Sequence, residues 1–210
     1  MLESSIVVFI ATSMLIILSP GQDMVLVLSH SIARGSSAGV ITAAGVGTGL
    51  LGHTVLAGLG LGALLQASEL AFSIMKYAGA AYMLYLGIKA FRAPPIDLAS
   101  STKAKGNLHS LFLRGALSNI SNPKIAIFYF AYLPQFVNVD NAHPTEALLA
   151  LGATFAMLTF VVKMPIGYFA GTLSGKIQSR PAVQVWLNRT CGGVLVAMGL
   201  RLATGSQSVA

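Results

Sequence analysis

Long apolar stretches separated by short polar segments dominate this chain. Six stretches are long enough to cross a hydrocarbon layer about 30 Å thick, because a helix needs roughly 20 residues to do so. The predicted spans are Ser4–Ser29, Ala38–Gln66, Leu70–Phe91, Leu111–Phe136, Glu146–Ser174 and Val183–Ala203. The pattern therefore predicts an all-α membrane protein with six transmembrane helices.

Two of these spans contain a helix break. Ser19-Pro20-Gly21 interrupts the first span, and Ser121-Asn122-Pro123 interrupts the fourth. Proline removes a backbone donor, and lipid cannot satisfy the backbone groups that a break sets free. Broken backbone at membrane depth must be enclosed by protein or line a cavity, so the breaks predict a site inside the bundle. A simple proline kink is the alternative for the first break.

The two halves of the chain share a pattern of glycine and basic residues. The third span reads basic-x-x-Gly and then Gly-x-basic, and the sixth span repeats this order. The residues are Lys76, Gly79, Gly87 and Lys89 in one and Arg189, Gly192, Gly199 and Arg201 in the other. Three crossings reverse direction, so we expect two inverted three-helix repeats in a single membrane domain, about 1–92 and 111–210, joined by a cytoplasmic loop of about 93–110. Inverted repeats with broken helices are typical of secondary transporters; chance matches are the alternative.

Composition supports a bilayer protein and the loop charges predict its orientation. Hydrophobic residues make up 55% of the chain and charged residues 9%, against about 25% charged in a globular domain. The net charge of +7 is spread over loops and helix ends, so it does not indicate a nucleic-acid surface. Basic residues favour the first, third and fifth loops, which the positive-inside rule places in the cytoplasm. Both termini are then expected to face outward, with the first span retained rather than cleaved as a signal peptide.

An ionisable residue stands beside each break. A half-helix that restarts near Gln22 would present N–H groups to a substrate carboxylate, and Asp23 would bind an ammonium group or carry a proton. In the second break Pro123 suits a helix start, Asn122 suits its cap, and Lys124 adds a cation. We expect a zwitterion site, for which the candidate residues are Pro20, Gly21, Asp23, Asn122, Pro123 and Lys124. A direct Asp23–Lys124 ion pair is an alternative resting arrangement.

Two further ionisable residues lie near the middle of their spans. His53 is a candidate proton relay, with a helix-to-helix hydrogen bond as the alternative. Lys163 is a candidate neutralising partner of Asp23 or a pathway residue, with snorkelling to the interface as the alternative. The nearby pair Gly45 and Gly49 indicates close helix packing and allows a homodimer without requiring one.

Enzymatic and cofactor chemistry finds no support in the sequence. The glycine-rich stretches lack a phosphate-loop Lys-Ser/Thr, and neither a zinc-protease motif nor a nucleophile elbow occurs. Cys191 is the single cysteine, which excludes an internal disulfide and a cysteine metal cluster. We therefore expect a non-enzymatic protein without cofactor or metal site, whose energy comes from an ion gradient.

Three ordered motifs resemble the lysine exporter (LysE/RhtB) family of bacterial amino-acid exporters. They run from Ser19 to Met24, from Tyr77 to Gly87, and from Ser121-Asn122-Pro123-Lys124 through Leu133-Pro134-Gln135-Phe136-Val137. The resemblance covers nearly the whole chain. It implies a bacterial inner-membrane secondary transporter that exports an amino acid or close derivative against proton entry. Family members commonly read Pro-Gly-Pro at the first break, whereas this chain has Gln22 in place of the second proline.

The leading hypothesis is thus a proton-coupled amino-acid exporter embedded in a lipid bilayer. A small-cation or metal exporter is the second candidate, but it should show clustered carboxylates and histidines at depth. A structural membrane subunit that transports nothing is the third. Which amino acid is exported stays open, because the backbone ammonium and carboxylate are common to all of them.

Overall fold

Helices account for nearly all of the chain that the structure describes. The computed structural model describes residues 2–19, 21–61, 69–93, 107–137, 143–172 and 181–204, and no strand occurs in these ranges. The α-helices are α1 (Leu2–Leu18), α2 (Gln22–Arg34), α3 (Ser36–Leu56), α4 (Glu69–Phe91), α5 (Leu108–Ile120), α6 (Pro123–Ile127), α7 (Pro144–Thr172) and α8 (Pro181–Thr204). A π-helical turn, Ala57–Leu61, extends α3, and the turns Phe128–Tyr132 (π) and Leu133–Phe136 (3-10) follow α6. The all-α prediction is confirmed.

Length and apolar composition support several membrane crossings. Within the described residues, the segments Ser36–Gly60 and Pro144–Gly171 can each cross a bilayer, and α1 with α2 forms a third span if that bent pair crosses as one. Helices α4 and α8 have 23 and 24 residues, but their polar and charged side chains, such as Lys76 and Arg189, lower their hydropathy. A multi-pass membrane protein is supported, while the count of six spans stays a prediction.

Both predicted helix breaks are present. The segments Ile6–Leu18 and Gln22–Arg34 meet at an angle of 51°, and α2 begins at Gln22, where the sequence predicted a restart. Gly21 between them is fully extended, with φ −179°. Pro20 lies outside the described residues. In the second half, α5 ends at Ile120 and α6 begins at Pro123.

Glycines allow α3 to pack closely against α5. A Cβ at Gly45 would lie 2.0 Å from the carbonyl oxygen of Phe112, and one at Gly49 would lie 2.7 Å from that of Ala116. The prediction of close packing is confirmed for this pair. Both glycines serve a contact within the chain, and a homodimer stays a prediction.

Helices α4 and α8 cross through the glycines that the two halves share. A Cβ at Gly87 would meet the backbone of Gly192, and a Cβ at Gly199 would meet the carbonyl oxygen of Ala80. Of these two contacts, the one that lies earlier in α4 lies later in α8, so the two helices run antiparallel.

A buried aromatic cluster fixes the segment that follows the second break. The rings of Phe128 and Phe155 are 4.5 Å apart, and the Tyr129 hydroxyl donates to the carbonyl oxygen of Gly152 at 3.0 Å. Aromatic pairs contribute about 0.5–1.5 kcal/mol beyond their area burial. This packing holds the second break against α7, which carries Lys163.

Candidate functional site

Asp23 is the most fully bonded side chain at the breaks. It lies in the first turn of α2 and is 2% exposed. Ser118 donates from Oγ to Oδ1 at 3.1 Å, and Asn119 donates from Nδ2 to Oδ2 at 2.8 Å. Both donors come from the last turns of α5, so the end of one broken helix binds the beginning of the other. Bonds of this kind, with a charged acceptor, are the stronger hydrogen bonds in proteins.

Lys163 of α7 supplies the counter-charge. Its Nζ lies 3.8 Å from Oδ2 of Asp23, and the residue is 6% exposed. Lys163 thus lies where a neutralising partner of Asp23 was expected, and its burial does not fit the snorkelling alternative; its role in the site stays a prediction. Asp23 pairs with Lys163, so the alternative of a direct Asp23–Lys124 pair is not the arrangement observed.

Lys124 brings the two breaks into contact. Its Nζ donates to the carbonyl oxygen of Ser19 at 3.4 Å, at the end of α1, where the helix dipole favours a cation. A Cβ on Gly21 would lie 3.1 Å from this Nζ. Asn122 caps α6 as the sequence predicted, because its Oδ1 accepts from the backbone N–H of Lys124 at 3.1 Å.

A small cavity lies among these groups. It measures about 10 Å³, which is room for about one water molecule. Its lining includes four of the six candidate residues, together with Lys163: Gly21, Asp23, Asn122 and Lys124. Pro123 is exposed at the start of α6 and does not line the cavity, and Pro20 lies outside the described residues.

His53 sits behind the site rather than in it. Its Nε2 lies 3.2 Å from the carbonyl oxygen of Asn119; because a carbonyl only accepts, Nε2 is the donor. The ring stacks on Tyr129 at 5.5 Å, and Nδ1 is buried without a hydrogen-bond partner. The helix-to-helix bond is therefore present, and a role as proton relay stays a prediction.

Sequence reasoning missed Ser118 and Asn119. Both are common uncharged residues, and the available signal was their place five and four residues before Pro123. Asn119 is 1% exposed, and its Oδ1 has no hydrogen-bond partner. Because Nδ2 of the same amide donates to Asp23, the side chain is held in place, and Oδ1 can accept from a further donor in the cavity.

The charges that line the cavity do not cancel. Asp23 contributes one negative charge and the lysines Lys124 and Lys163 two positive charges. A carboxylate would balance the excess, whereas a metal ion or other bare cation would increase it. The arrangement suits a ligand that carries an anionic group and can also satisfy Asp23.

Comparisons with known proteins agree on one family. The model of the LysE type translocator family matches residues 14–206. A homoserine/homoserine lactone efflux protein of Salmonella typhimurium is 36% identical over 199 residues, which cover 93% of this chain and 94% of that protein. The corresponding protein of Salmonella typhi is 35% identical over the same shares, and an uncharacterized membrane protein of Vibrio cholerae is 31% identical over 93% of this chain and 95% of its own. No solved structure matches.

Proposed function

The chain belongs to the LysE type translocator family, and on this basis we propose that it exports homoserine or a similar small amino acid in exchange for protons. Family membership makes it a membrane translocator rather than an enzyme. Homoserine is the first candidate because relatives that cover almost the whole chain are named for its efflux.

The observation that carries this proposal is the meeting of opposite charges at the two helix breaks. Asp23 lies in the first turn of α2 and Lys124 in the first turn of α6, and both line one buried cavity. Ionisable residues inside a membrane bundle mark substrate or ion pathways. A carboxylate and an ammonium group beside broken backbone suit the two ends of a zwitterion.

The substrate ammonium group binds at Asp23 in this proposal. The free Oδ1 of Asn119 offers it a second acceptor. The substrate carboxylate binds Lys124 and the first N–H groups of α2, a helix that begins without a side-chain cap. Such uncapped N–H groups carry a partial positive charge.

Lys163 keeps Asp23 compensated while the site holds no substrate. An unpaired charge at this depth would be costly, and the distance of 3.8 Å between Nζ and Oδ2 shows that the pair forms. In the proposed cycle the substrate ammonium displaces Lys163. After release, a proton from outside occupies Asp23 until Lys163 returns and the proton leaves inward.

The cycle requires the cavity to enlarge. A space of about 10 Å³ is far below the roughly 300–1,000 Å³ of ordinary ligand pockets. The arrangement described above is therefore a closed one in this proposal. The extended backbone at Gly21 and the 51° bend between α1 and α2 provide the joint at which the site opens.

We place the protein in the bacterial inner membrane with both termini outward and with inverted repeats related by a two-fold axis. The α4–α8 contact supports the repeats. The shared pattern makes Gly79 of α4 equivalent to Gly192 of α8, and Gly87 equivalent to Gly199. A two-fold axis would therefore relate the Gly87–Gly192 contact to a second contact, between Gly199 and Gly79. The observed contact of Gly199 with Ala80 lies one residue from that position.

Counterflow in proteoliposomes tests the proposal, with homoserine and its lactone as a matched pair of substrates. The lactone keeps the ammonium group but has lost the carboxylate to the ring. We expect the wild-type protein to move both, and Asp23→Asn to move neither. Lys124→Met should slow homoserine at least tenfold and the lactone less than threefold. A collapsed pH gradient should slow net export of both.

Other outcomes separate the alternatives. If no amino acid moves, the chain is a structural subunit. If a divalent ion moves instead, it is a metal exporter, although two lysines at the cavity are unfavourable for such cargo. Equal losses for homoserine and lactone in Lys124→Met would contradict the role of Lys124 in carboxylate binding.

A further inference from the structure

A second and much larger cavity opens between α2 and α5. It is a cleft of about 540 Å³, within the range of ordinary ligand pockets. Residues from one face of α2 and one face of α5 line it: Gln22, Val25, Leu26, Ser29 and His30, and Arg114, Leu117 and Ser118. We call it the α2–α5 cleft. It runs along α2 from Gln22, the first residue of the helix, to His30, and the proposed orientation places the Arg34 end of α2 in the cytoplasm.

Three of the eight residues that line the α2–α5 cleft are aliphatic, and the other five carry polar or charged groups. Arg114 is exposed and brings a guanidinium group, the side chain best suited to bind a carboxylate in a bidentate manner. Ser29 is 5% exposed, and its Oγ has no hydrogen-bond partner among the described residues. A buried hydroxyl without a partner costs free energy, which a ligand in the cleft would recover.

His30 adds an acceptor to the same wall. Its Nδ1 lies 2.8 Å from Oγ1 of Thr42, and that hydroxyl donates its own proton to the carbonyl oxygen of Ala38. Nδ1 is therefore the donor in this bond. In the neutral ring, Nε2 is left as an acceptor, which suits an ammonium group. Arg114 and His30 thus offer complementary partners to the two ends of an amino acid.

Ser118 joins the cleft to the closed cavity. It lines the cleft, and its Oγ donates to Oδ1 of Asp23 at 3.1 Å. Among the described side chains, it alone both lines the cleft and bonds Asp23. Gln22 lines the cleft while its neighbour Asp23 lines the cavity, so the first turn of α2 borders both spaces.

We propose that the α2–α5 cleft is a separate entry site for a zwitterionic amino acid, with Arg114 holding its carboxylate and Ser118 leading its ammonium group to Asp23. This rests on the proposed function. The site is distinct from the central cavity in its residues and in being open. Gln22, where relatives resembling this chain commonly have proline, contributes an amide to entry rather than to the central site.

Transport into inverted membrane vesicles tests the role of Arg114, because the cytoplasmic face is then accessible. Arg114→Gln should raise the KM for homoserine about tenfold, the usual effect of losing one charged hydrogen bond, and leave kcat within twofold. Lactone transport should be unchanged because the lactone has no carboxylate. Arg92→Gln, which removes an exposed charge on the same expected face but away from the cleft, is the matched control. An equal effect of both variants, or a fall in kcat alone, would overturn the proposal.

Thiol labelling tests occupancy of the cleft directly. In a Cys191→Ala background, Leu117→Cys places a thiol in the cleft, and Val161→Cys places one on α7 at nearly the same exposure, 61% against 63%. A charged thiosulfonate that cannot cross membranes should label the Leu117→Cys variant in inverted vesicles, and homoserine should slow this labelling. The Val161→Cys thiol lies in the middle of a span, so it is labelled with a lipid-soluble reagent instead, and that labelling should not respond to homoserine.

The same labelling separates the entry site from the central site. Protection of the Leu117→Cys thiol should persist when Asp23→Asn is added, although transport is lost. If the wild-type protein transports homoserine but homoserine never protects this thiol, the entry site is wrong and the proposed function stands. If only a lipid-soluble reagent labels it, lipid fills the cleft. If nothing is transported or protected, both proposals fail.

Discussion

The two helix breaks hold their charges in opposite ways. At the first break, Asp23 is buried and bonded to three side chains, while the backbone start of α2 has no side-chain cap. At the second break, Asn122 caps the start of α6, while the ammonium group of Lys124 donates to the carbonyl oxygen of Ser19 at the longer distance of 3.4 Å. The first break thus holds its charged side chain with short bonds and leaves its backbone N–H groups without a side-chain cap. The second break caps its backbone and holds its charged side chain with a longer bond.

The contrast suggests different roles in binding: the first break presents a fixed carboxylate, and the second presents an ammonium group that can move. A carboxylate that is already oriented needs little reorganisation when an ammonium group replaces Lys163. A lysine held by one long contact can leave Ser19 to meet an arriving carboxylate. Changes at the first break should therefore cost folding stability, and changes at the second should cost mainly substrate binding.

The largest expected effect follows from Asp23→Asn. It leaves Lys163, which is 6% exposed, without its counter-charge, and breaking a buried ion pair costs about 3–5 kcal/mol. The midpoint of thermal unfolding in detergent should fall by several degrees, since 1 kcal/mol corresponds to about 2–4 °C in a chain of this size. Lys124→Met should change the same midpoint by less than about 2 °C.

A double variant separates stability from function at this break. Adding Lys163→Met to Asp23→Asn removes the buried cation, so the unfolding midpoint should recover most of the loss while transport stays abolished. If Asp23→Asn alone is as stable as the wild type, the pair does not anchor the first break. The contrast between the breaks would then be lost.

Asn119→Ala comes next in size. It removes the 2.8 Å bond to Asp23, and hydrogen bonds to charged groups contribute about 1.5–3 kcal/mol. Ser118→Ala removes a 3.1 Å bond from a less buried residue and should cost about half as much. Asn119→Ala should lower the midpoint of thermal unfolding and raise the KM for homoserine more than Ser118→Ala does. The reverse order would show that Ser118 is the principal support of Asp23.

Local chemistry made the breaks predictable from the sequence. Pro123 with Asn122 before it predicts a helix start and its cap, and α6 begins at that proline with that cap. The restart of α2 at Gln22 follows from the preceding Pro-Gly in the same way. These features depend on a few adjacent residues, so no knowledge of the tertiary fold was needed.

The partners of Asp23 could not be predicted to the same degree. Lys124 and Lys163 were both candidates, and the choice depends on how α7 packs against α2, which no local pattern encodes. Ser118 and Asn119 lie about 95 residues from Asp23 along the chain, and their side chains are not distinctive. Nothing in the sequence distinguishes Arg114 from other basic residues, because the α2–α5 cleft exists only once the two helices pack.

The cap of the second break gives a smaller effect. Asn122→Ala should destabilise the protein by about 1 kcal/mol, the usual cost of losing an asparagine cap, and Asn122→Asp should retain most of the stability. Asn107 caps α5 in the same manner, accepting from the backbone N–H of Ser110 at 2.9 Å, so Asn107→Ala is the matched control. Thermal unfolding should respond to both alanine variants, but homoserine transport to Asn122→Ala alone. If Asn122→Ala and Asn107→Ala transport homoserine equally well, the Asn122 cap of α6 does not contribute to the site.

The smallest effect on stability is expected from Gly21→Ala. This variant tests whether the position of the Lys124 ammonium group determines substrate binding at the second break. Gly21 is extended, with φ −179°, so alanine fits its backbone without strain. The new Cβ would lie 3.1 Å from Nζ of Lys124, and this flexible side-chain end can move by a few tenths of an ångström. Stability should change by less than about 0.5 kcal/mol, while the KM for homoserine rises two- to threefold and that for the lactone does not.

Gly35→Ala is the control and should give the opposite result, because Gly35 has φ +87° and no neighbour within 4 Å of an added Cβ. Stability should fall through backbone strain, and the preference for homoserine over the lactone should be kept. If Gly21→Ala changes neither KM, the position of the Lys124 ammonium does not determine carboxylate binding, and the second break is only a structural joint.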